Sequence, residues 1–450
     1  MKVLLIQSHT GRKDFGIVYP IGLAYLAAVL TTEPYHHEVK IYDPNLEDAP
    51  YDKLAELIHI FQPDAVGISQ RNIDTTNLRD LYVHWKTLQP TFQLIRRLVP
   101  EAITIVGGSG YSLFPEQIMH SVPEIDFGVF REAEESLPEL LNHISNPETV
   151  PGIYYRKNGK ILFSGPRGLP AFAQIPLPRH DLTNIERYFG RLPAIGVQSR
   201  RGCPLKCIYC SYPHLTGMGV RLRTPKSIVD EIELLITQYH IPTYTFVDDI
   251  FNVPKDHAVA ICQALISRKL TAVPWSAFFD MKDMDAEFIR LALSAGCNHF
   301  FFSPDAITDK GLEFLQKNFT AQDIWRTAKL CHQIPGVHCG YSFFLNYPGI
   351  TVGGYLQTLW FFLKENILLG LRRKGGVHVS WIRIEPHTQL EQIAVEQGIL
   401  SPNTDLLPKT EAELKALFYI NPKYKLLNFL TNRLLDVIDL TVGRILGRKV

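Results

Sequence analysis

The sequence lacks the features that would place it across a membrane, outside the cell or on nucleic acid. No apolar run reaches the roughly 20 residues that a spanning helix needs, and the longest candidate, 355–371, contains Lys364, Glu365 and Asn366. Residues 1–7 lack the longer apolar core and the cleavage site of a signal peptide. With 46 basic and 45 acidic side chains the net charge is +1, which gives no reason to expect a nucleic-acid partner.

Cysteines are too few, and odd in number, for a disulfide framework, since the 450 residues include only seven. Four of them stand in apolar surroundings, and we expect these to be buried free thiols: Cys262, Cys297, Cys331 and Cys339. Free thiols indicate a reducing compartment, so we expect the protein in the cytoplasm.

The other three cysteines are closely spaced. Cys203, Cys207 and Cys210 form the pattern C-x3-C-x2-C, with an aromatic residue just before the last one. Iron–sulfur clusters are held by cysteine thiolates, and a cubane normally takes four. Three thiolates on one tight loop can hold three irons and leave the fourth iron open to a chelating ligand. A zinc site is the alternative, with His214 as fourth ligand, although His214 lies outside the paired spacing usual for zinc.

Alternating strand and helix patterns divide the chain into four regions. Residues 1–146 carry five short apolar strands between helices, which predicts an α/β, doubly wound, Rossmann-like parallel sheet. A proline-rich linker with a β-hairpin at Asn158-Gly159 is expected over 147–193. Residues 194–400 repeat the alternation with six strands, which fits a partial (β/α)6 TIM barrel, and 401–450 form a helical C-terminal region.

Polar and small residues follow several of these strands. Ligands bind beyond the carboxyl ends of the strands in both folds. In the first region these ends carry Ser8, Thr10, Ser69, Arg71, Gly107, Gly108 and Ser109. In the second region the cysteine loop follows the first strand, which places it on the carboxyl-terminal face of the barrel.

Further motifs follow the cysteine loop in order along the chain: 245–249, 302–305, 346–349 and 383–390. Together with the cysteines they resemble the radical S-adenosylmethionine (SAM) superfamily. The resemblance implies that the cysteines hold a [4Fe–4S] cluster whose open iron takes the amino and carboxylate groups of SAM. An electron from the cluster then splits SAM into methionine and a 5′-deoxyadenosyl radical. The residues expected to flank SAM are Asp248, Asp249, Ser303 and Asp305.

Four segments of the first region, 19–27, 107–109, 114–116 and 132–135, resemble the cobalamin-binding domain that precedes the barrel in one large radical SAM subfamily. The resemblance implies that cobalamin is the third cofactor. Its expected contacts are Ser8, Thr10, Ser69, Arg71, Gly107, Gly108, Ser109 and Glu132. The two resemblances together cover roughly residues 1–400.

The chain departs from this pattern in two places. It has no Asp-x-His-x-x-Gly motif to supply a histidine to cobalt, and 131–134 replaces the usual Gly-Glu-Gly-Glu. Arg71 stands in the loop after the third strand, and a guanidinium cannot coordinate metal. Placed under cobalt, it would block a lower ligand and favour Co(I). Alternatively, it pairs with a carboxylate or a cofactor amide at the rim.

The C-terminal region has a basic, amphipathic pattern. Leu426, Leu430, Leu434 and Ile438 repeat every four residues, which is one face of a helix. This face either docks on the parent domain or lies on the inner face of an anionic membrane, where it would make a peripheral contact.

These patterns predict a cobalamin-dependent radical SAM enzyme, most simply a methyltransferase acting on an unactivated carbon. Its substrate is expected to be a small or lipid-like molecule, and its electron donor a protein such as flavodoxin or ferredoxin. One alternative keeps both cofactors but rearranges, oxidises or cyclises the substrate. A second is an enzyme of the same fold that has lost cobalamin, and a third is a sensory module that binds cobalamin and the cluster.

Overall fold

Short apolar segments near the start of the chain form a seven-stranded sheet. The computed structural model describes residues 1–13, 17–190, 195–369, 376–433 and 435. The strands are β1 (Lys2–Gln7), β2 (Glu38–Tyr42), β3 (Ala65–Ser69), β4 (Ile103–Gly107), β5 (Phe127–Val129), β6 (Ile153–Lys157) and β7 (Lys160–Phe163). Their order in the sheet is β2-β1-β3-β4-β5-β6-β7, and the first five are parallel.

Helices cover both faces of this sheet, so its strands are apolar on both sides. They are α1 (Ile21–Thr31), α2 (Pro50–Phe61), α3 (Leu88–Leu98), α4 (Ser109–Leu113), α5 (Pro115–Ser121) and α6 (Ser136–Asn142). On one face Val3 and Leu5 of β1 pack with Leu23 of α1 in a separate core. On the other face Leu4 and Ile6 belong to a core that continues into the second half of the chain.

The predicted hairpin at Asn158-Gly159 forms between β6 and β7, and it extends the first sheet. Strand β6 pairs antiparallel with β5, and β7 pairs antiparallel with β6. Positive φ angles of 52° at Asn158 and 73° at Gly159 account for the tight turn. The hairpin therefore belongs structurally to the first sheet.

The second half of the chain contains a six-stranded parallel sheet, as its sequence predicts. Its strands are β8 (Ile195–Val197), β11 (Tyr244–Phe246), β12 (Trp275–Phe279), β13 (Cys297–Asp305), β14 (His338–Phe344) and β15 (Gly376–Ser380), while β9 (Arg200–Arg201) and β10 (Arg221–Leu222) form a small separate pair. The order β15-β14-β13-β12-β11-β8 is sequential, which is the arrangement of a partial barrel. Ala194, the predicted start of the first strand, lies outside the described residues.

Helices alternate with these strands. They are α7 (Tyr212–Thr216), α8 (Pro225–Tyr239), α9 (Lys255–Ser267), α10 (Ala286–Ser294), α11 (Asp309–Phe314), α12 (Ala321–Gln333), α13 (Val352–Leu363), α14 (Gln389–Glu396) and α15 (Glu411–Ala416). Most of the longer ones begin at a Thr or Asp whose side chain accepts a hydrogen bond from a backbone N–H of the first turn, as Thr320 does at α12. Across the described ranges, no helix has the length and apolar character needed to cross a membrane.

A helix forms at 425–433, but Leu426 and Leu430 of the predicted apolar face do not dock on the barrel. Leu426 and Leu430 are 71% and 55% exposed, whereas Asn428 and Thr431 are buried. Leu434 and Ile438 lie outside the described residues.

Candidate functional site

A deep cleft lies between the carboxyl ends of the two sheets. It contains about 1670 Å³ of empty space, part of it open to solvent. Its walls from the first sheet include Gln7, Ser69, Arg71, Gly107, Gly108, Ser109 and Glu132, and its walls from the second include Arg200, Gly202, Tyr212, Val247, Asp248 and Asp249. The cleft therefore joins six of the eight residues predicted for cobalamin with two of the four predicted for SAM.

The loop after β4 packs closely against the loop after β3. Gly108 has φ 97° and ψ 169°, a conformation that is essentially restricted to glycine. A Cβ at Gly108 would stand 2.7 Å from the carbonyl oxygen of Gln70 and 2.9 Å from Ser69 Oγ. The Ser109 hydroxyl donates to the Arg71 carbonyl at 2.9 Å. These contacts leave only backbone and small side chains on this wall, which lets a large ligand approach closely.

Arg71 projects into the cleft. Its side chain is exposed to the empty space, yet protein atoms surround it, and burial lowers the pKa of the guanidinium. Tyr212 lies within electrostatic range across the cleft. The structure places Arg71 where a bound ligand would meet its charge, and both roles expected for it stay predictions.

Ser8 and Thr10 lie at the same sheet edge but do not line the cleft. The backbone N–H of Ser8 donates to the Ser69 carbonyl at 3.1 Å. Asn45 holds the segment, because it accepts from the Thr10 N–H at 2.8 Å and donates to the Ser8 carbonyl at 3.0 Å. Their predicted contact with cobalamin stays a prediction.

The cysteine loop is fixed by contacts at several points. Gly202 has φ 85°, and a Cβ there would overlap the carbonyl oxygen of Gly219, which explains the glycine before Cys203. The Cys203 N–H donates to the Gly217 carbonyl at 3.1 Å. The buried Arg200 guanidinium donates to the Gly202 carbonyl. The loop is thus held by backbone contacts and by Arg200, and its three cysteines form no disulfide.

The three thiols lie within electrostatic range of one another. Burial raises the pKa of Cys210 to about 12, and the nearby thiols of Cys207 and Cys203 add to this. Burial also raises the pKa of Cys203 and of Cys207. All three are free. Within the described ranges, no three His, Cys, Asp or Glu side chains are grouped as a site for a single metal ion.

His214, the alternative fourth ligand, lies on the far side of α7 from the cleft. Its ring stacks on His387 with centroids 3.9 Å apart and contacts Phe130 edge-on. Burial, together with His387 and Arg131, lowers the pKa of His214 to about 4. His214 therefore lines a second cavity instead of the cleft.

Asp248 and Asp249 follow β11 and differ in their surroundings. The Asp248 carboxylate accepts from the Ser199 N–H at 2.8 Å, from the Ser199 hydroxyl at 2.5 Å and from the Arg200 N–H at 3.2 Å. Burial raises the pKa of Asp248 to about 6 despite these bonds. Asp248 therefore fixes the turn that leads into the cysteine loop.

Asp249 makes no side-chain hydrogen bond within the described part of the chain. It lies close enough to Cys203 and Cys210 to raise the pKa of both thiols. Burial raises the pKa of Asp249 itself to about 6, against the attraction of Arg200. Of the four residues predicted for SAM, Asp249 has the carboxylate that faces the cleft without a partner.

Ser303 and Asp305, at the end of β13, lie away from the lining of the cleft. Buried Lys317 donates to the Asp305 carboxylate at 2.6 Å and to the Ser303 carbonyl at 2.8 Å, and Tyr209 donates to the same carboxylate. Although burial disfavours its charge, Asp305 and the thiol of Cys207 raise the pKa of Lys317. Tyr209 and Lys317 thus connect the strand end to the cysteine loop, and the roles predicted for Ser303 and Asp305 stay predictions.

Glu132 lines the cleft, but its carboxylate joins the two halves of the chain. It accepts from Arg201 Nη1 at 2.9 Å and from Arg221 Nη1 at 2.8 Å. Glu134 lies 2.7 Å from Arg201 Nη2. Arg201 stands two residues before Cys203, so these carboxylates tie the first sheet to the base of the cysteine loop.

Both halves of the chain match known protein families. The B12 binding domain matches residues 11–141, and the radical SAM superfamily matches residues 197–359. These ranges contain the two walls of the cleft, in the predicted order. The chain belongs to the cobalamin-binding radical SAM proteins. The predicted family and fold class are therefore confirmed.

The proteins similar in sequence include a methyltransferase and a cyclase. An uncharacterised methyltransferase of Pyrococcus horikoshii is 28% identical over 376 residues, which are 82% of this chain and 79% of that protein. The anaerobic magnesium-protoporphyrin IX monomethyl ester cyclase of Rubrivivax gelatinosus is 26% identical over 353 residues, 73% of this chain and 60% of that protein.

A solved structure shares the fold of this radical SAM protein. The radical SAM methyltransferase TsrM of Kitasatospora setae, with tryptophan substrate and a SAM analogue bound, superposes with a TM-score of 0.76. The match covers 94% of this chain and 86% of that one, at 21% sequence identity.

The residues of the cleft fit the cofactors of the family. Three thiols that form no disulfide stand on one loop, which is the donor set of a cluster with one open iron. The glycine wall at Gly108 has the close backbone approach that a large cofactor needs. Sequence reasoning missed the roles of Lys317, Tyr209, Arg201 and Arg221, because their partners are distant in the chain. Tyr209 belongs to the cysteine motif, but the motif does not indicate its contact with Asp305.

Proposed function

We propose that this protein is a cobalamin-dependent radical SAM methyltransferase that transfers a methyl group from SAM to an unactivated carbon of a small-molecule substrate. The observation that carries the proposal is the single cleft between the two sheets. Gly202 and Tyr212, which flank the cysteines, border it with Asp249 on one side, and the Gly107–Ser109 segment and Arg71 border it on the other. When bound, the cluster would supply the electron that splits SAM, and cobalamin would carry the methyl group.

The chain's own residues prepare this cleft. Asp249 has a pKa of about 6 and is ionised at neutral pH, so it offers a negative charge to the ammonium group of SAM beside the cysteines. Asp248 fixes the turn before the cysteine loop, and the Lys317–Asp305 pair fixes the strand end beside Cys207. Arg71 presents a protonated guanidinium group, which cannot coordinate a metal.

Tyr212 forms part of the wall between the two cofactor sites. It is 47% exposed, yet it lies deep in the cleft, where burial and the charge of Asp249 raise its pKa to about 12. A neutral phenol at this position keeps the space between the sites poor in charge. We propose that the substrate binds against this wall and that a low-potential protein such as flavodoxin or ferredoxin supplies the electrons.

A transfer assay tests the proposal. The protein is reconstituted without oxygen with iron, sulfide and hydroxocobalamin, reduced, and given SAM with a deuterated methyl group and a metabolite extract. We expect S-adenosylhomocysteine, 5′-deoxyadenosine and a product that carries the deuterated methyl group. A variant with all three cluster cysteines replaced by alanine is the control and should give no 5′-deoxyadenosine. Absence of SAM cleavage in the reconstituted protein would contradict the proposal.

Non-methylating chemistry is a second candidate, which the cyclase relative supports. In that case SAM is cleaved, but the product gains no deuterated methyl group. The mass of the product therefore separates the two functions in the same assay.

A further inference from the structure

Two neighbouring helices on the outside of the barrel present apolar side chains to solvent. On α13, Val352, Leu356 and Trp360 are 50%, 55% and 55% exposed, and their spacing of four residues places them on one face. On the helix 425–433, Phe429 and Leu430 are each 55% exposed, beside the still more exposed Leu426. Contiguous apolar patches of this kind usually mark an interaction site.

The two helices are adjacent, and each is docked by its opposite face. Tyr355 of α13 is buried and lies beside the Thr431 hydroxyl, which opposes the effect of burial on the pKa of Tyr355. Asn428 accepts from the indole N–H of Trp381, next to the end of β15. The apolar side chains therefore form one outward-facing surface, made of Val352, Leu356, Trp360, Leu426, Phe429 and Leu430, which we call the apolar face.

The charged side chains on the two helical segments of the apolar face are all basic. Helix α13 contains no charged residue. The segment 422–433 contains Lys423, Lys425 and Arg433 and no acidic residue. Just beyond α13, the Lys364 ammonium group lies over the ring of Trp325 at 5.2 Å and 3.8 Å from the buried Glu365 carboxylate, so it adds little net charge. Basic side chains next to exposed aliphatic and aromatic groups complement an anionic lipid surface.

The apolar face lies near the carboxyl-terminal end of the barrel strands. Helix α13 begins eight residues after β14 ends. The Asn421 N–H donates to Asn346 Oδ1 at 2.6 Å, and Asn346 stands two residues after the end of β14. The apolar face thus adjoins the side of the barrel on which the cysteine loop opens.

We propose that the apolar face rests on the headgroup region of an anionic membrane. The apolar side chains enter the boundary of the acyl chains, the indole of Trp360 lies at the headgroup level, and the basic side chains contact lipid phosphates. A consequence, which rests on the proposed function, is that the substrate is an apolar molecule taken from the bilayer.

Vesicle binding of the full-length protein tests this proposal without any turnover. Vesicles of phosphatidylcholine alone are compared with vesicles that also contain phosphatidylglycerol, and bound protein is measured by flotation. We expect binding to the anionic vesicles that weakens as salt is raised. A basic side chain contributes about fivefold near such a surface, so Lys423→Gln/Lys425→Gln/Arg433→Gln should weaken binding about 100-fold.

Apolar substitutions test the other half of the interaction. Leu356→Gln/Trp360→Gln and Phe429→Gln/Leu430→Gln should each weaken binding by at least about tenfold while the thermal unfolding midpoint stays unchanged. Ile60→Gln is the matched control, because Ile60 is 74% exposed on α2 of the first domain, and it should bind as the unaltered protein does.

Three outcomes would overturn the proposal. One is no binding to anionic vesicles, or binding that the substitutions leave unchanged. Another is a dimer that these substitutions dissociate, which would assign the apolar face to a second copy of the chain. The third is a lowered unfolding midpoint in the apolar variants, which would show that the chain itself covers this surface. Each outcome leaves the proposed methyl transfer untouched, since no turnover is measured.

Discussion

Replacing Gly108 by alanine should weaken cobalamin binding, because this position needs both an unusual backbone conformation and space. With φ 97° and ψ 169°, a residue that carries a Cβ is strained by about 1–3 kcal/mol. The new methyl group would also stand 2.7 Å from a backbone oxygen of Gln70, which cannot rotate away. If the segment 107–110 shifts to relieve this contact, the affinity for cobalamin should fall about 5- to 150-fold.

The assay is a titration of the full-length protein with hydroxocobalamin, followed by absorbance. Gly159→Ala is the matched control: Gly159 also has a positive φ of 73°, but no atom lies within 4 Å of its Cβ position. It should retain the affinity of the unaltered protein. Folded Gly108→Ala protein that binds hydroxocobalamin with unchanged affinity would refute the role assigned to this wall.

Three further predictions follow from the described contacts. Alanine at all three cluster cysteines should abolish cluster absorbance after reconstitution and leave cobalamin binding largely intact; loss of both would show that the two halves do not bind independently. Lys317→Met leaves the Asp305 carboxylate buried without its partner, since the two side chains are 6% and 4% exposed, and should lower the free energy of unfolding by about 3–5 kcal/mol. The unfolding midpoint should fall, and the double variant Lys317→Met/Asp305→Leu should restore most of it. An unchanged midpoint in Lys317→Met would contradict the pairing. Burial raises the pKa of Glu385 to about 7 from the usual 4.5, so the folded state keeps a proton that the unfolded state loses. The free energy of unfolding should therefore decrease as the pH rises from about 4.5 to 7. Glu385→Gln should make the unfolding midpoint depend less on pH over this range, and an equally steep decrease in the variant would assign it to other groups.

Much of the fold could be predicted because short apolar segments and their boundaries are local properties of the sequence. Five parallel strands form in the first region and six in the second, as the short apolar runs predict. The cysteine loop and the glycine-rich loop also stand at the predicted strand ends. The division of the chain into four regions stays a prediction, and the pairing of β6 with β5 draws the hairpin into the first sheet.

The detailed roles of site residues could not be predicted, because they depend on partners that are far away in the sequence. Glu132 was predicted to contact cobalamin, yet its carboxylate binds Arg201 and Arg221, 69 and 89 residues later. Asp305 is held by Lys317 and Tyr209, and although Tyr209 belongs to the cysteine motif, the motif does not indicate this contact. The outward orientation of Leu426 and Leu430 depends on which face of their helix meets the barrel, and helical spacing alone does not decide this.

The most direct test of the account asks whether both cofactors occupy the one cleft between the sheets. Electron paramagnetic resonance of protein that holds cob(II)alamin and the reduced cluster together is compared with spectra of protein that holds each alone. The account predicts that the two signals broaden or relax faster when both are present, because neighbouring paramagnetic centres interact. Spectra of the doubly loaded protein that equal the sum of the separate spectra would contradict it.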